Sequence, residues 1–273
     1  MVTVKWLGCA GLELRWGDSV LLLDPYLSRP SKWKSLFLPL RSDERAVADY
    51  LERIPGALAG ILVGHTHSDH VLDVPALVAA HGSAKAYGTE SLANLLSAYG
   101  LEDKAVVLDS RGASCAIGPF EVRAVPSRHG RALLGRVPFP GEIVRGLKPP
   151  LRMHQYRHGG PLLWHVRAGG RSFLHAGTAD CVAEALRGLR ADVLFVCAAG
   201  RQKSPGFLPI LLEALGPEVV VPIHFDDFFA PLRPGRPLKR MPGVGLDRFA
   251  EEVRRSGSQA TVIVPEPFVE MEF

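Results

Sequence analysis

The sequence predicts an α+β chain made of two similar halves that face each other, and three observations carry that reading. Short apolar runs separated by turn residues open the chain, strand and helix patterns then alternate, and the same succession returns in the second half. No linker separates the halves, so residues 1–273 are expected to form a single domain. With 47% of its 273 residues hydrophobic and 22% charged, the chain can fill one large core or two smaller ones.

In order, residues 3–7, 12–16 and 20–24 read as strands with tight turns, including Gly17-Asp18, the spacing of an antiparallel meander. Residues 28–41 mix Arg29, Lys32, Lys34 and Arg41 with Trp33, Phe37 and Leu38. That mixture suits a substrate lip, a membrane-touching edge or a packed loop with its basic heads in water. Helical periodicity over 43–53 places Ala46, Val47, Tyr50 and Leu51 on one side. After an apolar strand at 59–63, Asp73 is suited to cap a helix with Pro75 in its first turn, running to His81-Gly82. A strand at 84–87, a helix at 89–99 and strands at 105–108, 114–117 and 120–125 follow. Residues 131–160 have little periodicity and many Pro and Gly. Structureless loops in compact domains rarely exceed roughly 12 to 15 residues, so this one is expected to be a functional lid. A hairpin at 162–166 and 171–175, helices at 182–189, 207–215 and 246–255, and strands at 192–197, 219–223 and 261–264 complete the chain.

The chemistry concentrates directly after the strand at 59–63, in Gly64-His65-Thr66-His67-Ser68-Asp69-His70. Three imidazoles and a carboxylate in six residues contribute little to a fold, and a metal ion explains them economically. Imidazole suits zinc, manganese and iron, and Asp adds a hard oxygen donor. His65 and His67, two apart at a strand end, can point to one side, whereas Asp69 and His70 diverge and can serve a second metal position. Two further strands run into histidines, at Arg128-His129-Gly130 and at His224-Phe225-Asp226-Asp227.

Charge is distributed unevenly. The net charge is +4 and the isoelectric point is near 9.0. Residues 128–157 hold seven basic residues against Glu142 alone, and residues 231–240 hold four and no acid, so the remainder is net acidic. Both basic segments follow a candidate metal-binding histidine. Cys9, Cys115, Cys181 and Cys197 are scattered without a C-x-x-C pair, which predicts buried thiols in a reducing compartment and no disulfide framework. With no apolar run near 20 residues and no signal-peptide layout at its start, the chain is expected to be soluble and cytoplasmic.

With these residues in place, the chain resembles the metallo-β-lactamase fold superfamily of metal-dependent hydrolases. The H-x-H-x-D-H signature is complete at His65, His67, Asp69 and His70, His129 stands where a further histidine is expected, and Val221-Pro222-Ile223-His224-Phe225 resembles the segment bearing the last ligand. Trp6-Leu7-Gly8 and Leu23-Asp24-Pro25 look most like the branch with ascorbate-phosphate lactonases and N-acyl-phosphatidylethanolamine phospholipases. The resemblance implies a four-layer αβ/βα sandwich with the metal site at strand ends. It also implies two divalent ions, zinc first with manganese or iron as alternatives: one on His65, His67 and His129, the other on Asp69, His70 and His224. Relatives add a bridging Asp where this chain has Thr178, so Asp180 is expected to swing in as a ligand or through water. Asp226 and Asp227 are its rivals, with solvent-facing or helix-capping roles as the alternative. Cys9 stands where the branch often has His. It reads as a buried Cys replacing a histidine behind the ligands, with a zinc-bound thiolate as the alternative.

The implied function is hydrolysis of an anionic ester, a phosphodiester or a phosphate-bearing lactone, by a hydroxide that the metals generate at neutral pH. Asp69 and His70 are the candidate catalytic residues, Asp69 also orienting the hydroxide. Arg128, Arg131 and Arg233 would hold the small anionic substrate, because Arg forks clamp phosphate. His154 and His158 could join them as general acid or phosphate contacts, while His81, His165 and His175 read as structural. A nucleic-acid processing or binding protein is the second reading, supported by the isoelectric point, but no Arg/Lys stripe with interleaved aromatics makes specific nucleic-acid binding an expectation. A catalytically weak metal scaffold, prompted by Thr178, and a β-lactamase are the remaining readings.

Overall fold

Alternation of apolar side chains sets the architecture. In the computed structural model, which describes residues 1–108, 112–132 and 135–273, the strands of the first half are β1 (Thr3–Gly8), β2 (Gly11–Trp16), β3 (Ser19–Leu23), β4 (Ala57–Leu62), β5 (Ala86–Gly88) and β6 (Ala105–Val107). Those of the second are β7 (Ser114–Ile117), β8 (Phe120–Pro126), β9 (Leu162–Ala168), β10 (Arg171–Ala176), β11 (Val193–Cys197), β12 (Val219–Ile223) and β13 (Thr261–Val262), with β14 (Glu270–Glu272) at the end of the chain. Leu21 and Leu23 of β3 join one buried cluster and Val20 and Leu22 the other, so this strand is apolar on both faces.

Two seven-stranded sheets result, ordered β14-β1-β2-β3-β4-β5-β6 and β13-β12-β11-β10-β9-β8-β7. In the first, β14, β1, β2 and β3 pair antiparallel and β3 to β6 pair parallel. In the second, β7 to β10 pair antiparallel and β10 to β13 parallel. The two similar halves are therefore real, and β14 returns from the far end of the chain to fill in the first sheet the place that β7 fills in the second. Val4, Trp6 and Leu14 of the first sheet share a cluster with Trp164, Val166 and Phe173 of the second. Trp6 stacks on Phe225 at 4.6 Å, an aromatic contact worth about 0.5–1.5 kcal/mol beyond the area it buries.

The helices are α1 (Lys32–Phe37), α2 (Glu44–Leu51), α3 (Ser68–Val71), α4 (Val74–Ala80), α5 (Glu90–Ala98), α6 (Phe207–Leu215) and α7 (Leu246–Arg255). Val47 of α2, Leu77 of α4 and Leu95 of α5 cover the outer face of the first sheet with Val20, Leu22 and Ile61. Leu211 of α6 and Phe249 and Val253 of α7 join the cluster of the second sheet. Helices outside two sheets make the four-layer sandwich. Among the described residues, no helix is long and apolar enough to cross a membrane.

Several local expectations change. The helix expected over 182–189 is one 3₁₀ turn, Ala183–Leu186, closed off by Gly188 at φ +75°. Residues 28–41 include α1, capped by Ser31, and leave Trp33, Leu36 and Phe37 exposed instead of packing them. Asp73 precedes α4 but makes no capping bond. Its buried carboxylate accepts from the Leu27 and Ser28 N–H groups at 2.6 and 2.9 Å and from Ser42 Oγ at 2.6 Å, tethering the segment after β3.

The expected lid is a tied-down strap. Leu133 and Leu134 lie outside its described residues. Ile143, Leu151 and Tyr156 are buried anchors, Leu40 N–H donates to the Leu151 carbonyl at 2.7 Å, and Ile143 N–H donates to Ser91 Oγ at 3.0 Å. The strap then returns to the histidine motif, where Thr66 N–H donates to the His158 carbonyl at 3.1 Å. Three anchors at irregular spacing leave no periodicity to read.

Candidate metal centre

Every group that converges on the site leaves a strand end. Cys9 sits in the turn after β1, Asp24 follows β3, the histidine motif follows β4, His129 follows β8, Thr178 follows β10 and His224 follows β12. The motif also starts a helix, because α3 begins at Ser68. Asp69 faces His224, whereas the His70 ring lies 3.8 Å from that of His65, so the spacing does not part the motif into two separate pairs.

His65, His67 and His129 form the first cluster, with one donor atom from each within 4.8 Å of the others. His65 Nε2 faces His67 Nδ1 at 3.1 Å, and the rings of His65 and His67 lie 4.9 and 4.6 Å from that of His129. The outward nitrogens of His67 and His129 are occupied by acceptors, whereas His65 Nδ1 is buried without one among the described residues. His67 Nε2 donates to the Pro138 carbonyl at 3.0 Å, and His129 Nδ1 donates to the Gly130 carbonyl at 2.7 Å. Each bond places the ring proton outside, so a lone pair faces the cluster.

His70 follows the same logic with a charged partner. Its Nδ1 donates to Asp24 Oδ2 at 2.8 Å, and its Nε2 lies 3.6 Å from Asp69 Oδ2. Asp24 is fully buried, and Gly64 N–H donates to its Oδ1 at 2.6 Å. Gly177 makes room for it, since a Cβ there would come within 2.7 Å of Asp24 Oδ2. On the opposite side, His224 Nε2 lies 3.2 Å from Asp69 Oδ2, and Cys9 Sγ lies 3.7 Å from that oxygen. Cys9, Asp69 and His224 form a second cluster of donors within 4.8 Å, while His70 groups with Asp24 and His65.

The electrostatics suit a cation. Burial pushes His67 down to about 3 and His129 to about 4, and it holds His65 well below its ordinary value, so these rings are neutral and their lone pairs available near neutral pH. For Asp69, burial works against ionisation, but His70 and His224 outweigh it and hold the carboxyl below its usual range. His70 is raised, with Asp24 and Asp69 overcoming the burial that opposes its charge. Buried imidazoles oriented from behind, around an ionised carboxylate, fit divalent metal ions by donor chemistry.

The remaining sequence-predicted residues divide. Asp180 is not brought into these clusters; its Oδ1 accepts from Cys181 N–H at 2.8 Å, a local turn that competes with reaching inward. Thr178 is buried and its Oγ1 accepts from Gly130 N–H at 3.1 Å, bracing the turn that carries His129. Asp227 takes a local role, accepting from Phe229 N–H at 3.1 Å and pairing with Lys239 at 3.1 Å. Asp226 is neither solvent-facing nor a helix cap. It is fully buried, paired with Arg29, and accepts from Cys9 N–H at 2.9 Å. Nothing in the local sequence links residues 29, 226 and 9, so only the fold reveals this support.

His158 stacks over His129 at 6.1 Å between ring centroids, but its nitrogens face the N–H groups of Gly141 and Gly160 at 3.4 and 3.2 Å, and burial lowers it. His154 is exposed in a 3₁₀ turn of the strap, beside Glu142 and Arg157. Arg128, Arg131 and Arg233 are exposed, whereas Arg152 and Arg157 are spent on the carbonyls of Phe37 and Pro140. His165 and His175 hold the carbonyls of Arg190 and Ala10, both at 2.8 Å, as structural histidines do.

Comparison with known proteins agrees with the fold. The model of the beta-lactamase superfamily domain matches residues 20–225. A UPF0173 metal-dependent hydrolase of Caldivirga maquilingensis is 24% identical over 229 residues, covering 82% of this chain and 82% of that protein. One of Myxococcus xanthus is 26% identical over 266 residues, covering 97% of this chain and 81% of that protein. Among solved structures, the metallo hydrolase Igni18 of Ignicoccus hospitalis superposes with a TM-score of 0.65 at 19% identity, covering 100% of this chain and 99% of the other. The match runs from β3 through the last strand-end histidine's neighbour, Phe225, and the chain belongs to the β-lactamase superfamily domain family.

Proposed function

We propose that the protein is a metal-dependent hydrolase that attacks an anionic ester, a phosphodiester or a phosphate-bearing lactone. The observation that carries the reading is the set of neutral imidazoles of His65, His67 and His129, the latter two oriented by backbone carbonyls, beside the ionised Asp69. Relatives bearing the name metal-dependent hydrolase support the reaction class. His65, His67 and His129 would hold one divalent ion, and Asp69, His70 and His224 the second. When bound, such ions make water acidic enough to attack at neutral pH and polarise the oxygen of the bond under attack. Zinc is the first choice for imidazole-rich donors, with manganese and iron as alternatives.

The chain's own groups do the rest. Asp69, whose Oδ2 faces His224, would be a ligand that also orients the attacking water through its carboxylate. Asp24 keeps His70 in the tautomer whose Nε2 faces inward. Thr178 and the Gly130 carbonyl hold His129 in place from behind. The exposed guanidinium groups of Arg128, Arg131 and Arg233 attract the substrate's negative charge, because charge-assisted bonds to phosphate are roughly twice as strong as neutral ones. Arg128 and Arg131 flank His129 and Arg233 follows His224, a placement that supports a phosphate-bearing substrate. His158, with its nitrogens turned to backbone amides, packs against the site and leaves protonation of the leaving group to water.

The test is turnover by the protein reconstituted with zinc, manganese or iron(II) on panels of phosphodiesters, lactones, thioesters and β-lactams. Phosphodiester or phosphate-lactone turnover that disappears with chelator is the expected result. Turnover confined to uncharged lactones or to β-lactams would refute the substrate assignment, and none with any metal would refute the hydrolase reading.

A further inference from the structure

We infer that Cys9 is a thiolate ligand of the second metal position, sharing it with Asp69 and His224 and making it selective for zinc. The inference rests on the two-metal reading above and adds a ligand to it. Its first support is the triangle of donor atoms. Cys9 Sγ lies 3.6 Å from His224 Nε2 and 3.7 Å from Asp69 Oδ2, and those two atoms lie 3.2 Å apart. Tetrahedral zinc with bonds of about 2.3 Å to sulfur and about 2.0–2.2 Å to nitrogen and oxygen sets its ligands about 3.6 Å apart for sulfur with either partner and about 3.4 Å for nitrogen with oxygen. The three edges of the cluster have that order and that size. His70 Nε2, 3.6 Å from Asp69 Oδ2, borders the same oxygen.

The second support is the backbone that aims the thiol. Cys9 is a non-glycine residue at φ +54°, following Gly8 at φ +87°, a conformation that persists only where surrounding contacts impose it. Here they do. The Cys9 carbonyl accepts from Trp6 Nε1 at 2.9 Å and from the His224 N–H at 2.7 Å, and its own N–H donates to Asp226 Oδ1 at 2.9 Å. Asp226 is fixed in turn by the buried guanidinium of Arg29. One residue thus ties its main chain to that of His224 and presents its sulfur to the same oxygen as the His224 ring. A cysteine filling apolar space has no use for this setting, since its sulfur meets a carboxylate and an imidazole.

The third support is charge. The resemblance implies a bridging carboxylate where this chain has Thr178, whose hydroxyl accepts from Gly130 N–H. A thiolate at Cys9 would supply a negative charge in its stead. On binding, the Cys9 S–H bond breaks, its proton passes to solvent and the sulfur lone pair forms the bond to the ion. Soft sulfur favours zinc over manganese or magnesium at this position.

The experiment loads the metal-free full-length protein with cobalt(II) or zinc and reads absorption and bound metal. The expected result for the unaltered protein is about two ions per chain and an intense near-ultraviolet thiolate-to-cobalt band. Cys9→Ser should lose the band and weaken the second ion by more than about 100-fold, beyond the 10–100-fold typical of outer partners. Cys197→Ser, whose thiol contacts the Ala199 carbonyl, should keep both. Two bound cobalt ions without the band, or a band that survives Cys9→Ser, would overturn the inference and leave the two-metal reading standing. Fewer than one ion per chain in the unaltered protein would overturn both. The spectrum of the unaltered protein decides the ligand even where a variant fails to fold.

Discussion

His70 Nδ1 donates to Asp24 Oδ2 at 2.8 Å between two fully buried side chains, and the other Asp24 oxygen accepts from Gly64 N–H at 2.6 Å. One carboxylate therefore braces both ends of the histidine motif. Asp24→Asn can keep the shape but offers an amide where His70 needs an acceptor. Metal affinity should fall by about 10–100-fold, read by competition with a chromophoric chelator. Unchanged affinity would mean that Asp24 serves the fold alone.

The pair of Arg29 and Asp226 is buried, and removing one partner leaves an uncompensated charge. Arg29→Met should cost about 3–5 kcal/mol in denaturant unfolding. The double variant Arg29→Met with Asp226→Leu should recover much of that loss while still disturbing Cys9 N–H, whose acceptor disappears. Equal losses in the single and double variants would refute the charge argument.

Acid should destabilise the metal-free protein in a defined window. Folding holds His67 at about 3 and His129 at about 4, against 6.5 when unexposed to these effects in the unfolded chain. Between pH 6.5 and about 4 the unfolded chain binds more protons, so stability falls as pH drops, by about 1.4 kcal/mol per pH unit for each fully differing group. His70, raised on folding, is protonated in both states there and contributes nothing to that slope. Urea midpoints of chelator-treated protein at pH 7 and pH 5 test this, and a midpoint no lower at pH 5 would contradict it.

The exposed arginines should act on substrate charge alone. Arg131→Gln and Arg233→Gln should each lower kcat/KM on a phosphate-bearing substrate by about 10-fold or more, mainly through KM, since a bond to a charged group is worth about 1.5–3 kcal/mol. An uncharged ester should be hydrolysed at the original rate, and added salt should narrow the difference. Equal losses on both substrates would assign these loops to structure.

Much of this was legible in the residues themselves. Local spacing determines the histidine motif, because a strand end followed by one helical turn concentrates His65, His67, Asp69 and His70 in one place, although His70 lies against His65 instead of parting from it. The antiparallel opening and the repeated strand-and-helix outline follow from alternation and turn chemistry. What lies far apart in sequence waited for tertiary structure: the pairing of β14 with β1, the burial of Asp226 against Arg29, the anchoring of the strap, and the approach of Cys9 to His224 across 215 positions. Asp180 shows the limit most plainly, since its carboxylate satisfies the nearest backbone N–H instead of reaching the site. Periodicity records which face a residue presents, but only the packing of one sheet against the other decides which faces meet, and with them the partners of each buried charge.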